Sequence, residues 1–286
     1  MAVQFEPAII VHGGAGRIRD EELPARLDGC RAAALTGWKI LQQGGSALDA
    51  AEAAVAALED DPLFNAGTGS TLNAVGRVEM DAAIMDGNTL RAGSVAAVQG
   101  VKNPIQLARR VMEDGRHVML VGDGALAFVR QIGFPECAPE ALIVAAQRKR
   151  WNEKHGTVGC VAFDASGKIA VATSTGGTFN KLPGRVGDSP LPGCGTYADD
   201  VGGVSCTGSG EAIMRLVMGK SAVELLKTGA DPQAAAHQTV RLLAQKTGGM
   251  GGLIVIDGNG RIGYARNTER MPVCFIAGAG SITLDS

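Results

Sequence analysis

The chain has 286 residues, of which 45% are hydrophobic and 20% charged, and its formal net charge is −2 at pH 7. This composition is typical of a folded protein with a large core and argues against a disordered chain. Aromatic residues make up only 4% of the chain, and it has no basic run of the kind that nucleic-acid binding usually needs, which argues against nucleic-acid binding.

Glycine is the compositional outlier, with 41 residues, about twice the usual share. It predicts tight turns and close backbone approaches rather than a helical bundle. The cysteines are widely spaced, without a C-x-x-C pair, and indicate reduced cytosolic thiols rather than disulfides or a zinc site. They are Cys30, Cys137, Cys160, Cys194, Cys206 and Cys274.

The N-terminal elements are predicted from local signals. Residues 7–14 ("PAIIVHGG") predict a short buried strand that ends in glycines, without a signal peptide or a membrane span, so we expect a cytoplasmic protein. Residues 23–43 predict a helix with one apolar face. Ser46 is expected to cap the next helix, over 47–59, with Asp49 three residues on as a capping-box variant.

The middle of the chain reads as a loop, a hairpin, a helix and a strand. Residues 60–73 are rich in Gly and Pro and predict a loop, and residues 77–98 predict a hairpin. Asn103-Pro104 is expected to open a helix. Residues 117–125 predict a strand that leads into a further helix. Residues 133–154 are the expected linker.

The second half of the chain repeats this mixture. Residues 154–177 predict a hairpin, 180–200 a long loop, and 202–211 a strand that turns into a helix. Helices are expected near 210–227 and over 232–245.

A last hairpin and a final strand are predicted within residues 251–278. Strands and helices thus occur in blocks rather than in strict alternation. This order favours sheets layered with helices, an α+β fold, over a doubly wound parallel sheet.

Several common catalytic motifs are incomplete in this chain. A dinucleotide-binding reading of residues 11–16 fails because Arg19 stands where the last glycine is needed, and "GKS" at 219–221 lacks the earlier glycine of a phosphate-binding loop. No G-x-S-x-G elbow and no H-E-x-x-H pair is present, so we expect no catalytic metal. A Ser-His-Asp triad stays open, because it needs only one of the scattered histidines.

Thr157, within "KHGTVG", allows two interpretations. Alone it is typical of a β-branched residue that begins a strand. If the bond after Gly156 were cut, however, the new α-amino group would have a pKa near ~8 and could take the proton of the Thr157 hydroxyl. A residue without a side chain at 156 would leave its carbonyl accessible to that hydroxyl.

The surrounding motifs favour the second interpretation. Over nearly its whole length the chain resembles the plant-type L-asparaginase and isoaspartyl peptidase family of N-terminal nucleophile (Ntn) hydrolases. Six motifs carry the resemblance: "VHGGAG" at 11–16, "FNAGTGS" at 64–70, "HGTVG" at 155–159, "ATSTGG" at 172–177, "PGRVGDSPLPGCGTYAD" at 183–199 and "CTGSGE" at 206–211.

The resemblance implies a four-layer αββα sandwich in one domain. It also implies self-cleavage between Gly156 and Thr157 into an α chain, 1–156, and a β chain, 157–286, and a dimer of these αβ units. The residue before the matched nucleophile is Gly156 rather than an acidic residue. In this respect the chain resembles the asparaginase and isoaspartyl peptidase branch of the family.

The resemblance assigns the chemistry to four residues. Thr157 matches the nucleophile, Thr175 matches a threonine that contacts its hydroxyl, and Thr207 with Gly208 matches the oxyanion hole. Without the resemblance, Thr175 is equally typical of a strand, and the "TGSG" segment of a strand-to-helix turn.

Substrate binding is assigned to a second set. Arg185 and Asp188 match groups that hold the α-carboxylate and α-ammonium of an aspartyl substrate, and a guanidinium suits a carboxylate. Taken alone, their charges are equally compatible with a local surface salt bridge. Gly210 matches a backbone contact to the substrate, and Asn65 matches a residue near the nucleophile.

The loop after the second predicted helix resembles the family's sodium loop, in which backbone carbonyls hold a structural Na⁺. No cofactor is expected for the chemistry itself, and EF-hand spacing for Ca²⁺ is absent. The matched positions are Leu58, Glu59, Asp61, Phe64, Ala66 and Thr68.

The function implied by the resemblance is hydrolysis of the β-amide of L-asparagine or of isoaspartyl dipeptides. Two alternatives stay open: an endopeptidase that cleaves after Asp in proteins, and a ligand-binding relative without catalysis. The first is disfavoured because such relatives carry longer insertions. The second is disfavoured because the matched residues are all present.

Overall fold

Twelve β-strands lie in the part of the chain that the computed structural model describes, residues 4–144 and 156–286. In chain order they are β1 (Ala8–His12), β2 (Met80–Asp86), β3 (Ala92–Val98), β4 (Met119–Val121), β5 (Val158–Phe163), β6 (Ile169–Thr175), β7 (Thr196–Ala198), β8 (Gly202–Gly208), β9 (Gly251–Asp257), β10 (Ile262–Arg266), β11 (Val273–Ala277) and β12 (Ser281–Asp285).

The strands form two sheets. The larger has the order β12-β11-β1-β5-β6-β2-β3-β4, and the smaller has the order β10-β9-β8-β7. Neighbouring strands pair antiparallel except for β3 and β4, which are parallel. A mixed α/β fold with two sheets agrees with the expected α+β class.

Seven α-helices lie in the same described residues. They are α1 (Leu23–Gln42), α2 (Ala47–Asp60), α3 (Pro104–Asp114), α4 (Gly122–Gln131), α5 (Gly210–Leu216), α6 (Met218–Lys227) and α7 (Pro232–Thr247). The predicted cap of α2 is confirmed, because the Ser46 hydroxyl accepts a hydrogen bond from the Asp49 N–H at 3.1 Å.

Both faces of the central strands are buried, which explains their nearly continuous apolar sequences. On β1, Ile9 and Val11 pack with helices α1 to α3 in one core cluster. Ile10, on the other face, packs with Ile254 and Ile256 of the smaller sheet. The outer face of the smaller sheet packs with α5 to α7.

Four local predictions differ from the structure. The predicted loop at 180–200 contains the short strand β7, and the helical region at 210–227 is broken at Val217, which has a left-handed φ of +50°. The single final strand is two strands, because β12 pairs with β11. The described part of the predicted linker, 133–144, is fastened to the body: the Gly69 N–H donates to the Leu142 carbonyl at 2.9 Å. The rest of that linker lies outside the described residues.

The packing of β3 on α3 predicts that Gly93→Ala destabilises the fold. A Cβ at this position would collide with the carbonyl oxygen of Ala108 and lie 2.5 Å from the Met112 nitrogen. We expect a loss of about 1–3 kcal/mol in the free energy of unfolding, measured by urea unfolding. Gly124→Ala in α4 is the control, because nothing lies within 4 Å of its Cβ. It should be neutral or gain up to about 1 kcal/mol, and equal losses in both variants would contradict this account.

Candidate active site

Three threonine side chains converge where strands of the two sheets end. The Thr157 hydroxyl donates a hydrogen bond to Thr175 Oγ1 at 3.2 Å. The Thr157 backbone N–H donates to Thr207 Oγ1, also at 3.2 Å. All three residues are buried. Thr175 and Thr207, assigned to the partner and to the oxyanion hole, therefore each lie within hydrogen-bonding distance of Thr157, the residue assigned as nucleophile.

Strand register explains why these three meet. Strands β5 and β6 pair antiparallel with Val158 opposite Ser174, so Thr157, one residue earlier, reaches the level of Thr175. Thr207 comes from β8 in the other sheet. The hydrogen bond between Thr157 and Thr207 therefore joins the two sheets at their shared end.

The Thr207 hydroxyl is fixed by two backbone donors. It accepts from the Thr157 N–H and, at 3.1 Å, from the Ala15 N–H. A hydroxyl has two acceptor lone pairs and one O–H donor. With both lone pairs used, its proton is available to an oxygen of a bound molecule.

Thr175 is held in the same way. Its Oγ1 accepts from the Gly177 N–H at 3.0 Å as well as from the Thr157 hydroxyl. An acceptor fixed from both sides sets the direction in which the Thr157 hydroxyl points its proton. This leaves an Oγ1 lone pair of Thr157 for attack.

Gly208 directly follows Thr207 at the end of β8. Its φ is +138°, and a Cβ there would collide with the backbone of Gly251 and Met250. This conformation and this close approach require glycine. Gly208 therefore places a backbone N–H directly after Thr207 at a position that no side chain could occupy.

Ser189 also lies at the site, and sequence reasoning missed it. Its Oγ lies 3.5 Å from the Thr157 Oγ1, and the residue is fully buried. Its place directly after Asp188, in a motif already assigned to the site, was the available signal. A serine in a turn-rich loop does not stand out without its spatial neighbours.

Arg185 and Asp188 lie together, but they do not form the local salt bridge that sequence alone left open. Arg185 pairs instead with Glu211, through Nε at 2.9 Å and Nη2 at 2.7 Å. Gly210 lets the two side chains converge. A Cβ there would lie 2.7 Å from Arg185 Nη2 and 2.9 Å from Asp188 Oδ1.

Asp188 is a buried carboxyl without a full set of partners. Burial raises the pKa of Asp188 to about 7, and the nearby Arg185 opposes that rise only in part. Its Oδ2 has no hydrogen-bond partner among the described residues. A buried polar atom of this kind calls for an explanation, such as a ligand that completes it.

Asn65 lies beside the Thr175 end of β6, and its side chain is engaged there. Its Nδ2 donates to the Gly177 carbonyl at 2.8 Å, and its Oδ1 accepts from the Thr71 N–H at 2.8 Å. The amide therefore fastens the turn whose Gly177 N–H holds the Thr175 hydroxyl. The Asn65 side chain is thus connected to Thr157 through that turn and Thr175.

Gly156 and Gly14 approach each other closely at the proposed cleavage point. A Cβ on Gly156 would lie 2.5 Å from the Gly14 Cα, and a Cβ on Gly14 would lie 2.7 Å from the Gly156 Cα. Gly14 also has a φ of +99°. The absence of both side chains is what allows Gly156 to lie directly against Gly14.

The loop of the expected sodium site wraps back over the C-terminal end of α2. The carbonyl of Glu59 accepts from the Thr68 N–H at 2.8 Å, and that of Asp61 accepts from the Phe64 N–H at 3.1 Å. A Cβ on Gly67 would collide with the Glu59 carbonyl. Carbonyls at a helix C-terminus carry partial negative charge and suit a hard cation, and the sodium site stays a prediction.

The side chains around that loop do not form a metal site of their own. Across residues 4–144 and 156–286, no cluster of three or more His, Cys, Asp or Glu side chains could hold a metal ion. The Glu59 carboxyl instead accepts from the Ile105 N–H at 3.0 Å, at the start of α3. Burial raises the pKa of Glu59 to about 8.

The chain is similar in sequence to known proteins. A sequence model of the asparaginase family matches residues 5–155 and 152–284, nearly the whole chain. The chain belongs to the asparaginase family. The family resemblance carried by the six sequence motifs is thereby confirmed.

Two groups of curated relatives are similar to this family member. The plant-type L-asparaginase of Pyrococcus furiosus is 49% identical, over 94% of this chain and 96% of the relative. The isoaspartyl peptidase/L-asparaginase of Homo sapiens is 47% identical over 90% of this chain and 88% of the relative, and that of Danio rerio is 46% identical over 89% and 87%, respectively.

No helix in the described residues combines the length and apolar character needed to cross a membrane.

The raised pKa of Asp188 predicts a pH dependence of stability. Between its ordinary value of 3.8 and about 7, the folded protein retains a proton that the unfolded chain has released. The free energy of unfolding should therefore fall as pH rises from 4 to 7, by at most about 4 kcal/mol from this group.

Urea unfolding of wild type and Asp188→Asn across this pH range measures that contribution. Asparagine mimics the neutral carboxyl and does not titrate, so the variant should gain stability relative to wild type as pH rises. Parallel curves for the two proteins would contradict the assignment.

Proposed function

We propose that this asparaginase-family chain is an autoprocessed threonine amidohydrolase that hydrolyses the β-amide of L-asparagine and of β-aspartyl dipeptides. The observation that carries the proposal is the convergence of Thr175 and Thr207 on Thr157. The names of its relatives, L-asparaginase and isoaspartyl peptidase, support the substrate class.

Self-cleavage comes first in this mechanism. The Thr157 hydroxyl attacks the Gly156 carbonyl, the C–N bond between the two residues breaks, and the hydroxyl proton ends on the Thr157 nitrogen. Water then hydrolyses the resulting ester, which leaves a carboxylate on Gly156 and a free hydroxyl on Thr157. The products are the chains 1–156 and 157–286.

The new α-amino group then serves as the base for turnover. Its pKa near ~8 leaves a useful neutral fraction at pH 7–8, and it takes the proton from Thr157 Oγ1 as that oxygen attacks the substrate's β-carbonyl. The Thr207 hydroxyl and the Gly208 N–H stabilise the oxyanion, and one such donor is worth about 10²–10³ in rate. Ammonia or an amino acid leaves with a proton, and water hydrolyses the aspartyl ester.

Recognition of the aspartyl half follows from charge. The substrate's α-ammonium completes the unpartnered, buried carboxyl of Asp188, and Arg185 binds the α-carboxylate. Gly210 leaves room between these side chains. Because both charges belong to the aspartyl half, different leaving groups are tolerated.

The architecture extends the proposal. We propose a single Ntn-hydrolase domain with a four-layer αββα arrangement, supported by the packing of α1–α3 on the larger sheet and α5–α7 on the smaller one. The αβ units form a dimer. A structural Na⁺ is held by the carbonyls of residues 58–68 and takes no part in the chemistry.

The proposal predicts that Thr157→Ala abolishes hydrolysis. Wild type should release ammonia from L-asparagine and an amino acid from a β-aspartyl dipeptide, and the variant should lose about 10⁴-fold or more in rate because no nucleophile remains. Coupled ammonia detection and amino-acid analysis measure the two reactions. Thr228→Ala, at an exposed threonine after α6, is the control and should keep full activity. Undiminished hydrolysis by Thr157→Ala would identify another nucleophile.

A further inference from the structure

Asp81 is a fully buried carboxylate on β2, in the neighbourhood of the threonine cluster. In the pairing of β2 with β6 it lies directly opposite Thr175. Charged side chains are rarely buried completely without dedicated partners. The partners of Asp81 therefore indicate what it does.

Both carboxylate oxygens of Asp81 accept backbone hydrogen bonds. Oδ1 accepts from the Ala97 N–H at 2.8 Å, and Oδ2 accepts from the Gly187 N–H at 3.2 Å. Gly187 lies between Arg185 and Asp188, the two residues assigned to the α-carboxylate and the α-ammonium of the substrate. We call residues 181–188, which carry Arg185 and Asp188, the recognition loop. The Asp81 carboxylate thus connects this loop to strand β3, through Ala97.

A β-bulge allows Asp81 to make both contacts. The pairing of β2 with β3 changes register between Met80 and Ala82, and Ala97 on β3 has a φ of +48°. Bulges of this kind redirect a side chain and are frequent beside active sites. Here the bulge supplies the Ala97 N–H to Asp81 in place of a regular strand partner.

The nearby Glu79 holds the same loop at two earlier residues. Its Oε2 accepts from the Gly184 N–H at 3.1 Å, and its carbonyl accepts from the Lys181 ammonium at 2.7 Å. The buried Lys181 also lies close enough to offset the charge of Asp81. Residues 79–81 therefore hold the loop at three points, 181, 184 and 187.

We propose that Asp81 is a positioning residue for substrate recognition, which holds Arg185 and Asp188 at a fixed distance from Thr157, Thr175 and Thr207. The inference rests on the proposed function of that loop. It assigns to Asp81 an effect on binding of the aspartyl group rather than on the chemical step, because the hydrogen bonds of its carboxylate come from the backbone of Ala97 and Gly187 and none of them involves Thr157.

The substitution Asp81→Asn tests this role with minimal change in volume. An amide has one acceptor oxygen, so its NH₂ group would face either the Ala97 or the Gly187 N–H, and that contact becomes repulsive. Loss of a charge-assisted hydrogen bond to the loop should raise KM for L-asparagine about 10- to 100-fold. We expect kcat to stay within about threefold.

The matched control lies on the same strand. Asp86, at the far end of β2, also accepts a backbone hydrogen bond from a turn, the Asn88 N–H at 2.9 Å. Asp86→Asn removes the same charge away from the recognition loop and should leave KM unchanged. A general effect of charge loss on the sheet would raise KM in both variants.

Calorimetric binding of L-aspartate to the processed protein gives a second readout that does not depend on turnover. Asp81→Asn should weaken this binding by the same factor as the rise in KM. If Asp81→Asn does not fold, Glu79→Gln decides, because it weakens the Gly184 contact to the same loop, together with a 3.5 Å contact from Gln99 Nε2, and should raise KM about threefold or more. An unchanged KM in Glu79→Gln would then contradict the proposal.

The outcomes separate this inference from the proposed function. Wild type without asparagine hydrolysis would contradict the proposed function. Active wild type together with a folded Asp81→Asn of unchanged KM would overturn only the positioning role, and so would an Asp81→Asn variant that loses kcat at constant KM.

Discussion

The hydrogen bond between the Thr157 N–H and Thr207 Oγ1 is the contact on which the rest of the site depends. It joins the residue before β5 in one sheet to β8 in the other, so the distance between Thr157 and Thr207, the proposed nucleophile and oxyanion-hole residue, is set by how the two sheets pack. The apolar layer between the sheets fixes that packing. Close-packed interiors resist small displacements, so the core beneath the site acts as its rigid support.

The proposed recognition residues and the threonines are held by different contacts. The loop that carries Arg185 and Asp188 donates backbone hydrogen bonds to the buried carboxyls of Glu79 and Asp81, while the threonines are held by strand register and backbone donors. The two parts meet where Asp81 lies opposite Thr175. This separation is consistent with an enzyme that holds one half of its substrate tightly and accepts varied leaving groups.

Sequence reasoning succeeded where the signal is local. The Ser46 cap, the hairpins and the helix that opens at Pro104 follow from short-range propensities, and the structure confirms them. It failed where tertiary contacts decide the local structure. The left-handed break at Val217 has no glycine to mark it in the sequence. The exposed strand β12 forms by pairing with β11, a contact that the sequence did not indicate. In the site, motifs supplied the residues but not their partners, since the contacts of Ser189, Glu211 and Asp81 join segments distant in sequence.

We propose that Thr157 becomes an N-terminus through the protein's own chemistry. Intact mass measurement of the purified protein under denaturing conditions, with sequencing of the new N-terminus, decides whether it does. We expect two masses, for chains 1–156 and 157–286, and a second chain that begins Thr157-Val158-Gly159. A single uncleaved mass after prolonged incubation, or a new N-terminus at another residue, would contradict it.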